Sequence, residues 1–339
     1  MTNLELIAKL AGVSRGTVDR VLHNRGQVRP ETEEKVRAVM QELDFQPNAL
    51  GRAFYLSRKK NKIGILVAFR EPDFQKQVMQ GVNEGVVYAQ QHGVEVLIEY
   101  AHPDDTEGYL ASLRRLLDGG VRGLAIRGVL SDEIDRCLRE ISREQMQIVV
   151  YNEDIRDKGL RDCFVGQDSC RAGACAACLT EQIAGPGGEM LLVGVDARHV
   201  SSEERLNGFA EYFRKRGTDV SHVIYGKGSH ELTYRQTRDM IAAREHISGI
   251  FVSGAGLSGA AHAVDDAGLT GRIKVVGFDI TESNMSFLKK GTVQFLIDQG
   301  PYMQGYRSVQ LLTEAIFRDA PVETSFVDTG IQIKNPYNC

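Results

Sequence analysis

Hydrophobic positions in the first 45 residues recur with helical spacing, in three short blocks. Asn3 is placed to cap a helix carrying Leu4, Leu6, Ile7 and Leu10. Ser14 is placed to cap a second, with Val18, Val21 and Leu22 on its buried side. A third runs from Pro30 to about Leu43, with Val36, Val39, Met40 and Leu43 on one face. Pro30 suits a first helical turn, where its missing N–H is no loss. From Ile63 the period changes. Apolar runs at 63–69, 94–100, 123–127, 147–151, 163–165, 190–195, 222–225, 250–253, 274–279 and 293–297 read as strands. Amphipathic stretches such as 74–91, 109–117 and 203–216 separate most of them. Strands alternating with helices predict parallel sheets covered on both faces. So many strands fit two doubly wound lobes better than one sheet.

The predicted organisation is therefore an all-α headpiece (1–46), a hinge segment and linker (47–62), and a two-lobed α/β body (63–339). The first lobe is expected to comprise about 63–162 and 293–320, the second about 163–292 and 321–339. Residues 320–339 read as a closing strand and tail. Sheets of this class bind ligands beyond the carboxyl ends of their strands, so two facing lobes form a cleft that can close like a hinge.

Charge sharpens the picture at one end. The formal net charge of −4 conceals an excess of 5 basic groups in residues 1–62 and of 9 acidic groups in the remainder. Only the headpiece is suited to a polyanion. There Ala8 permits close helix contact, Gly12 makes the turn and Val18 packs back, which is helix-turn-helix spacing. The second helix of such a pair lies in the major groove of DNA. Its outward positions include Arg15, Gly16, Thr17, Asp19 and Arg20, and either arginine can pair with guanine O6 and N7. The start of the chain lacks the pattern of a secretory signal, and no apolar run approaches the roughly 20 residues of a membrane span. Six cysteines in a chain of 339 residues do not resemble a disulfide framework. A cytoplasmic protein without a membrane partner is expected.

At the ends of predicted strands stand Phe74, Asn152, Arg205, Asp279 and Gln299. A carboxylate, a guanidinium and amides exchange hydrogen bonds with a polyhydroxylated ligand, while an aromatic face covers its C–H surface.

Ile7-Ala8-Lys9-Leu10-Ala11-Gly12-Val13-Ser14, Thr17-Val18 and Arg20-Val21-Leu22 resemble the headpiece of the lac-repressor/galactose-repressor family. The likeness continues through Val28, Pro30-Glu31-Thr32, Lys35-Val36, Glu42-Leu43 and Pro47-Asn48-Ala49-Leu50. It implies a homodimeric repressor that binds double-stranded operator DNA through Ser14, Arg15, Gly16, Thr17, Arg20, Asn24, Asn48, Arg52 and Phe54. Asp19 stands where the family usually has serine. Phe54 takes the place of the family's minor-groove leucine, in a hinge segment whose helix Gly51 weakens by about 1 kcal/mol relative to alanine.

The body resembles the family's sugar-receptor half, a periplasmic-binding-protein-like fold of type I. Arg205-Leu206-Asn207-Gly208-Phe209, Val276-Gly277-Phe278-Asp279 and Gln299 ahead of Pro301 carry that likeness. It implies a sugar or sugar-derivative effector held by Arg205, Asp279 and Gln299, with Phe74 and Asn152 beside them. Where receptors often have Asn-Asp, this chain has Gly254-Ala255.

Gly254-Ala255-Gly256-Leu257-Ser258-Gly259 is a GxGxxG run between a strand and a helix, with Asp279 ending the next strand. An NAD(P)-dependent sugar oxidoreductase therefore stays open as an alternative, as does a sugar sensor without DNA binding. Cys170, Cys175 and Cys178 copy a cluster-ligand spacing, but they fall in an alanine-rich helical stretch and are expected on its core face. No catalytic residue, cofactor or metal is expected.

Overall fold

The computed structural model describes residues 3–22, 28–42, 61–143, 146–185, 188–197, 199–217, 220 and 222–339. The chain divides into two compact units, residues 1–59 and 60–339.

In the first unit, α1 (Asn3–Ala11), α2 (Arg15–Leu22) and α3 (Pro30–Glu42) enclose a small core of Ile7, Ala8, Val18, Val21 and Val36. Gly12 joins α1 to α2 at φ 66°, a left-handed conformation that glycine enters without a Cβ clash. The buried stripe of α1 differs from expectation. Leu6 and Leu10 are exposed, because Ile7, Ala8 and Ala11 are the residues turned toward α2 and α3. Leu43 lies outside the described residues.

In the second unit the chain builds two six-stranded sheets. The first sheet contains β1 (Lys62–Val67), β2 (Glu95–Tyr100), β3 (Gly123–Arg127), β4 (Gln147–Tyr151) and β5 (Cys163–Gly166). The second contains β6 (Glu189–Gly194), β7 (His222–Tyr225), β8 (Ile247–Val252), β9 (Lys274–Phe278) and β10 (Val293–Asp298). Two short strands close the chain, β11 (Phe326–Asp328) and β12 (Gln332–Lys334). The orders are β11-β5-β4-β3-β1-β2 and β12-β10-β9-β8-β6-β7, so the lobes repeat one topology. Among the described residues, all strand pairings are parallel except that of β10 with β12.

These sheets correct the expected lobe boundaries. The strand at 163 closes the first sheet, and the strand at 293 belongs to the second rather than the first. The tail also divides, β11 joining the first sheet and β12 the second. The reason lies in the crossings. The chain passes between lobes after β5, after β10 and again after β11, and each sheet is completed only when the tail adds its outer strand.

Alternate residues of each strand serve opposite faces. Ile63, Ile65 and Val67 enter one core of the first lobe and Leu66 the other. Leu191 and Val193 likewise part from Met190 and Leu192 in the second lobe. Helices α4 (Pro72–Gln91), α5 (Thr106–Asp118), α6 (Asp132–Arg143), α7 (Ser169–Ala184), α8 (Val200–Arg214), α9 (His230–Ala243), α10 (Leu257–Asp266), α11 (Glu282–Lys290) and α12 (Pro301–Arg318) cover these faces. Contact between α7 and α8 is close enough that a Cβ on Gly173 would collide with the Arg205 carbonyl. On α7 the core face is made by Ala172, Gly173, Ala176, Ala177 and Thr180. The cysteines do not share it as expected, since Cys170 is exposed and Cys175 and Cys178 are half-buried. Smaller residues are what the close α7–α8 approach selects.

Candidate functional site

The carboxyl ends of both sheets face one cleft. Phe69 and Arg70 follow β1, Arg127 ends β3, Asn152 and Glu153 follow β4, Asp279 follows β9 and Gln299 follows β10. The five residues chosen from sequence, Phe74, Asn152, Arg205, Asp279 and Gln299, all line its deep part.

Gln299 links them. Its Oε1 accepts from Arg205 Nη2 at 3.0 Å and from Asn152 Nδ2 at 3.3 Å, while its Nε2 donates to Asp279 Oδ1 at 2.6 Å. Asn152 Nδ2 also donates to Gln304 Oε1 at 3.0 Å, and its Oδ1 accepts from Arg127 Nε at 3.1 Å. Arg205 donates through Nη1 to the Ser253 carbonyl at 2.9 Å and lies 3.9 Å over the Phe278 ring. Burial pushes the Asp279 carboxyl above its ordinary range, a shift that Arg205 and Gln299 only partly offset. Burial likewise lowers both arginines, Arg127 and Arg205, from their usual value. Phe74 packs at 5.2 Å against Phe69, giving the polar network an aromatic wall.

A second set of groups escaped the sequence reading. Glu153 accepts from the Ser201 N–H at 3.0 Å and from the Ser201 hydroxyl at 2.6 Å, and His199 Nδ1 stands 3.3 Å away. Burial alone would raise Glu153, but His199, Arg127 and the Ser201 bonds outweigh it and hold the carboxyl below its usual range. Burial lowers His199 from its ordinary value, an effect that Glu153 only partly offsets. Glu153 belongs to the first lobe and Ser201 to α8 of the second, so this pair joins the lobes. Asp73 Oδ2 adds another link, accepting from the Glu282 N–H at 2.8 Å, and Gln77 Nε2 donates to the Ile280 carbonyl at 2.8 Å. Toward the mouth the cleft widens into a cavity of about 470 Å³ edged by Arg70, Asp104 and Lys227. There Arg70 Nε donates to Asp104 Oδ2 at 2.6 Å. The strand-end rule that selected Asn152 also covers Arg127 and Glu153; nothing local in sequence brings Ser201 to Glu153.

On the headpiece, Ser14 caps α2, its Oγ accepting from the Thr17 N–H at 3.1 Å and lying 2.9 Å from Thr17 Oγ1. Arg15, Gly16 and Arg20 are exposed on one helix. Arg20 Nε donates to the Gly16 carbonyl at 3.2 Å, and Arg15 lies 3.9 Å from Glu5. Asn24, Asn48, Arg52 and Phe54 lie outside the described residues. Among the described residues, no helix is long and apolar enough to cross a membrane.

Residues 3–48 match the model of bacterial regulatory proteins, lacI family, and residues 63–318 that of a periplasmic binding protein domain. The chain is 25% identical to the ribose operon repressor of Halalkalibacterium halodurans over 96% of its own length and 93% of that protein's. It is 25% identical to the lactose operon repressor of Escherichia coli, covering 91% of this chain and 83% of the other. The arabinose-binding protein AraP of Geobacillus stearothermophilus superposes with a TM-score of 0.70 at 21% identity, over 82% of this chain and 98% of that one. The two repressor names favour a regulator over the dehydrogenase that the 254–259 glycines left open.

Proposed function

The chain belongs to the lacI family of bacterial regulatory proteins, with a periplasmic binding protein domain as its body, and from that premise we propose that it is a homodimeric repressor controlled by a sugar-like effector. The effector occupies the cleft between the lobes, contacting Phe74, Asn152, Arg205, Asp279 and Gln299. Arg15, Thr17 and Arg20 face the major groove, and Ser14 and Gly16 approach the backbone beside them. The observation that carries this reading is the Gln299 network. One amide ties a buried guanidinium, a half-buried carboxylate and an amide of the opposite lobe, and each is a group that sugar hydroxyls can engage.

Links made only when the lobes meet, such as Glu153 to Ser201, let ligand binding bias closure. A ligand shifts that equilibrium only by its differential affinity for the two states.

Selection of duplexes from a random pool by the full-length chain tests the proposal. Recovery of a two-fold symmetric consensus, with affinity altered by a pentose or hexose, is the expected result. No enrichment over random competitor would remove it.

A further inference from the structure

Resting on the cleft as the effector site, we infer that the effector carries an anionic group, a carboxylate or a phosphate. The loop Gly254-Ala255-Gly256 holds that group together with Lys227 and Arg205.

Gly254 and Ala255 line the deep cavity, and the loop opens the ten-residue helix α10. Gly256 is its N-cap at φ 107°, and no side chain caps the helix. Among the described residues no acceptor takes the amide hydrogens of Gly254, Ala255 or Gly256. Successive N–H groups at a helix start form a concavity suited to an anion, and the helix dipole adds to it.

Arg205 supplies an independent observation. It is 3% exposed, it lines the same cavity, and its Nε has no hydrogen-bond partner. Its Nη1 bonds the carbonyl of Ser253, the residue just before the loop, so the guanidinium lies against the start of the loop. A buried donor of this kind left unmade is costly, and the oxygens of a carboxylate or phosphate satisfy it.

The cleft is lined by charges of both signs, with Glu71 and Asp279 among the carboxylates of its deep part. Asp104 is paired with Arg70, Glu153 with His199, and Asp196 has a partner of its own. Arg127 and Lys227 line the mouth, and neither makes an ion pair with a carboxylate among the described residues. Lys227 stands beside the loop, since a Cβ on the adjacent Gly228 would lie 3.4 Å from that of Ala255. The loop itself contributes no carboxylate to oppose an incoming anion.

The test is calorimetric titration of the full-length chain with inorganic phosphate and with matched sugars. D-glucose is compared with D-gluconate and D-glucose 6-phosphate, D-galactose with D-galacturonate and D-galactose 1-phosphate, and D-ribose with D-ribonate and D-ribose 5-phosphate. At least one charged member is expected to bind about tenfold or more tighter than its neutral counterpart. The acid and phosphate arms tell the two anions apart. Lys227→Gln and Ala255→Asp, both at exposed positions, are expected to weaken the charged member by about tenfold more than its neutral counterpart. Melting curves check that both variants fold. Neutral sugars binding as tightly as charged ones, or a charged sugar indifferent to both variants, overturns the inference and leaves the cleft reading standing. No binding by any member overturns both.

Discussion

Asn152 and Asp279 occupy matching places in the two lobes. Each follows a corresponding strand, β4 or β9, with a left-handed backbone at φ 65° and φ 73°. Each donates its amide at 3.1 Å to the neighbouring strand, Asn152 to Val165 and Asp279 to Ile297. Left-handed backbone costs most L residues about 1–2 kcal/mol, and asparagine and aspartate bear it best. Both side chains thereby reach Gln299 from opposite lobes.

Asp279→Ala is expected to abolish the effector response. It also removes the carboxylate that most favours the charge of the buried Arg205 guanidinium and leaves Gln299 Nε2 without its acceptor, a loss of about 1–3 kcal/mol. Asp279→Asn tolerates the same backbone and is expected to lose less. Urea denaturation of both variants, with ligand calorimetry, checks this. Equal stability of Asp279→Ala and wild type would contradict it.

Gly173 is predicted to be intolerant for a packing reason alone. A Cβ there meets the Arg205 carbonyl, backbone that cannot swing aside, so Gly173→Ala forces α7 from α8. The expected destabilisation is about 1–3 kcal/mol or more, read from the denaturant midpoint. Because α8 carries Arg205, ligand affinity falls with it. An unchanged midpoint would show that the helices separate freely.

Much of this was legible in the sequence because it is local. The alternation from Ile63 onward marked the strands of both sheets, and the strand-end positions gathered five residues that meet in one cavity. What escaped was long-range. The strand at 293 looks like any other apolar run, and only the chain crossings place it beside β9. Ser201 lies 48 residues from Glu153, and no spacing rule connects them. In α1, the periodic leucines at 6 and 10 turned outward, because α2 and α3 pack on Ile7 and Ala8.

The Glu153–His199–Ser201 link gives a pH dependence. Burial depresses His199 below its ordinary value of 6.5, so the unfolded imidazole takes up a proton that the folded one resists. Its contribution is present above pH 6.5 and is lost as pH falls through the lower, folded value. Glu153, also depressed, adds a loss at more acidic pH. Wild type is expected to lose stability more steeply than His199→Gln between about pH 7 and 5. Parallel curves would remove His199 from the account.

Arg20→Ala is expected to cost about 1–3 kcal/mol on the selected duplex and to relax preference at one base position. Arg20 is exposed and, among the described residues, bonded within α2, and it is not part of the headpiece core. Equal loss on every sequence would mean that Arg20 touches phosphate alone.

The central claim, that the cleft governs DNA affinity, is tested most directly by measuring one coupling in both directions. Duplex affinity of the full-length chain is measured with and without a bound effector, and effector affinity with and without saturating duplex. The account predicts one common factor, larger or smaller than unity, in the two measurements. A cleft ligand that binds tightly and leaves duplex affinity unchanged would contradict it.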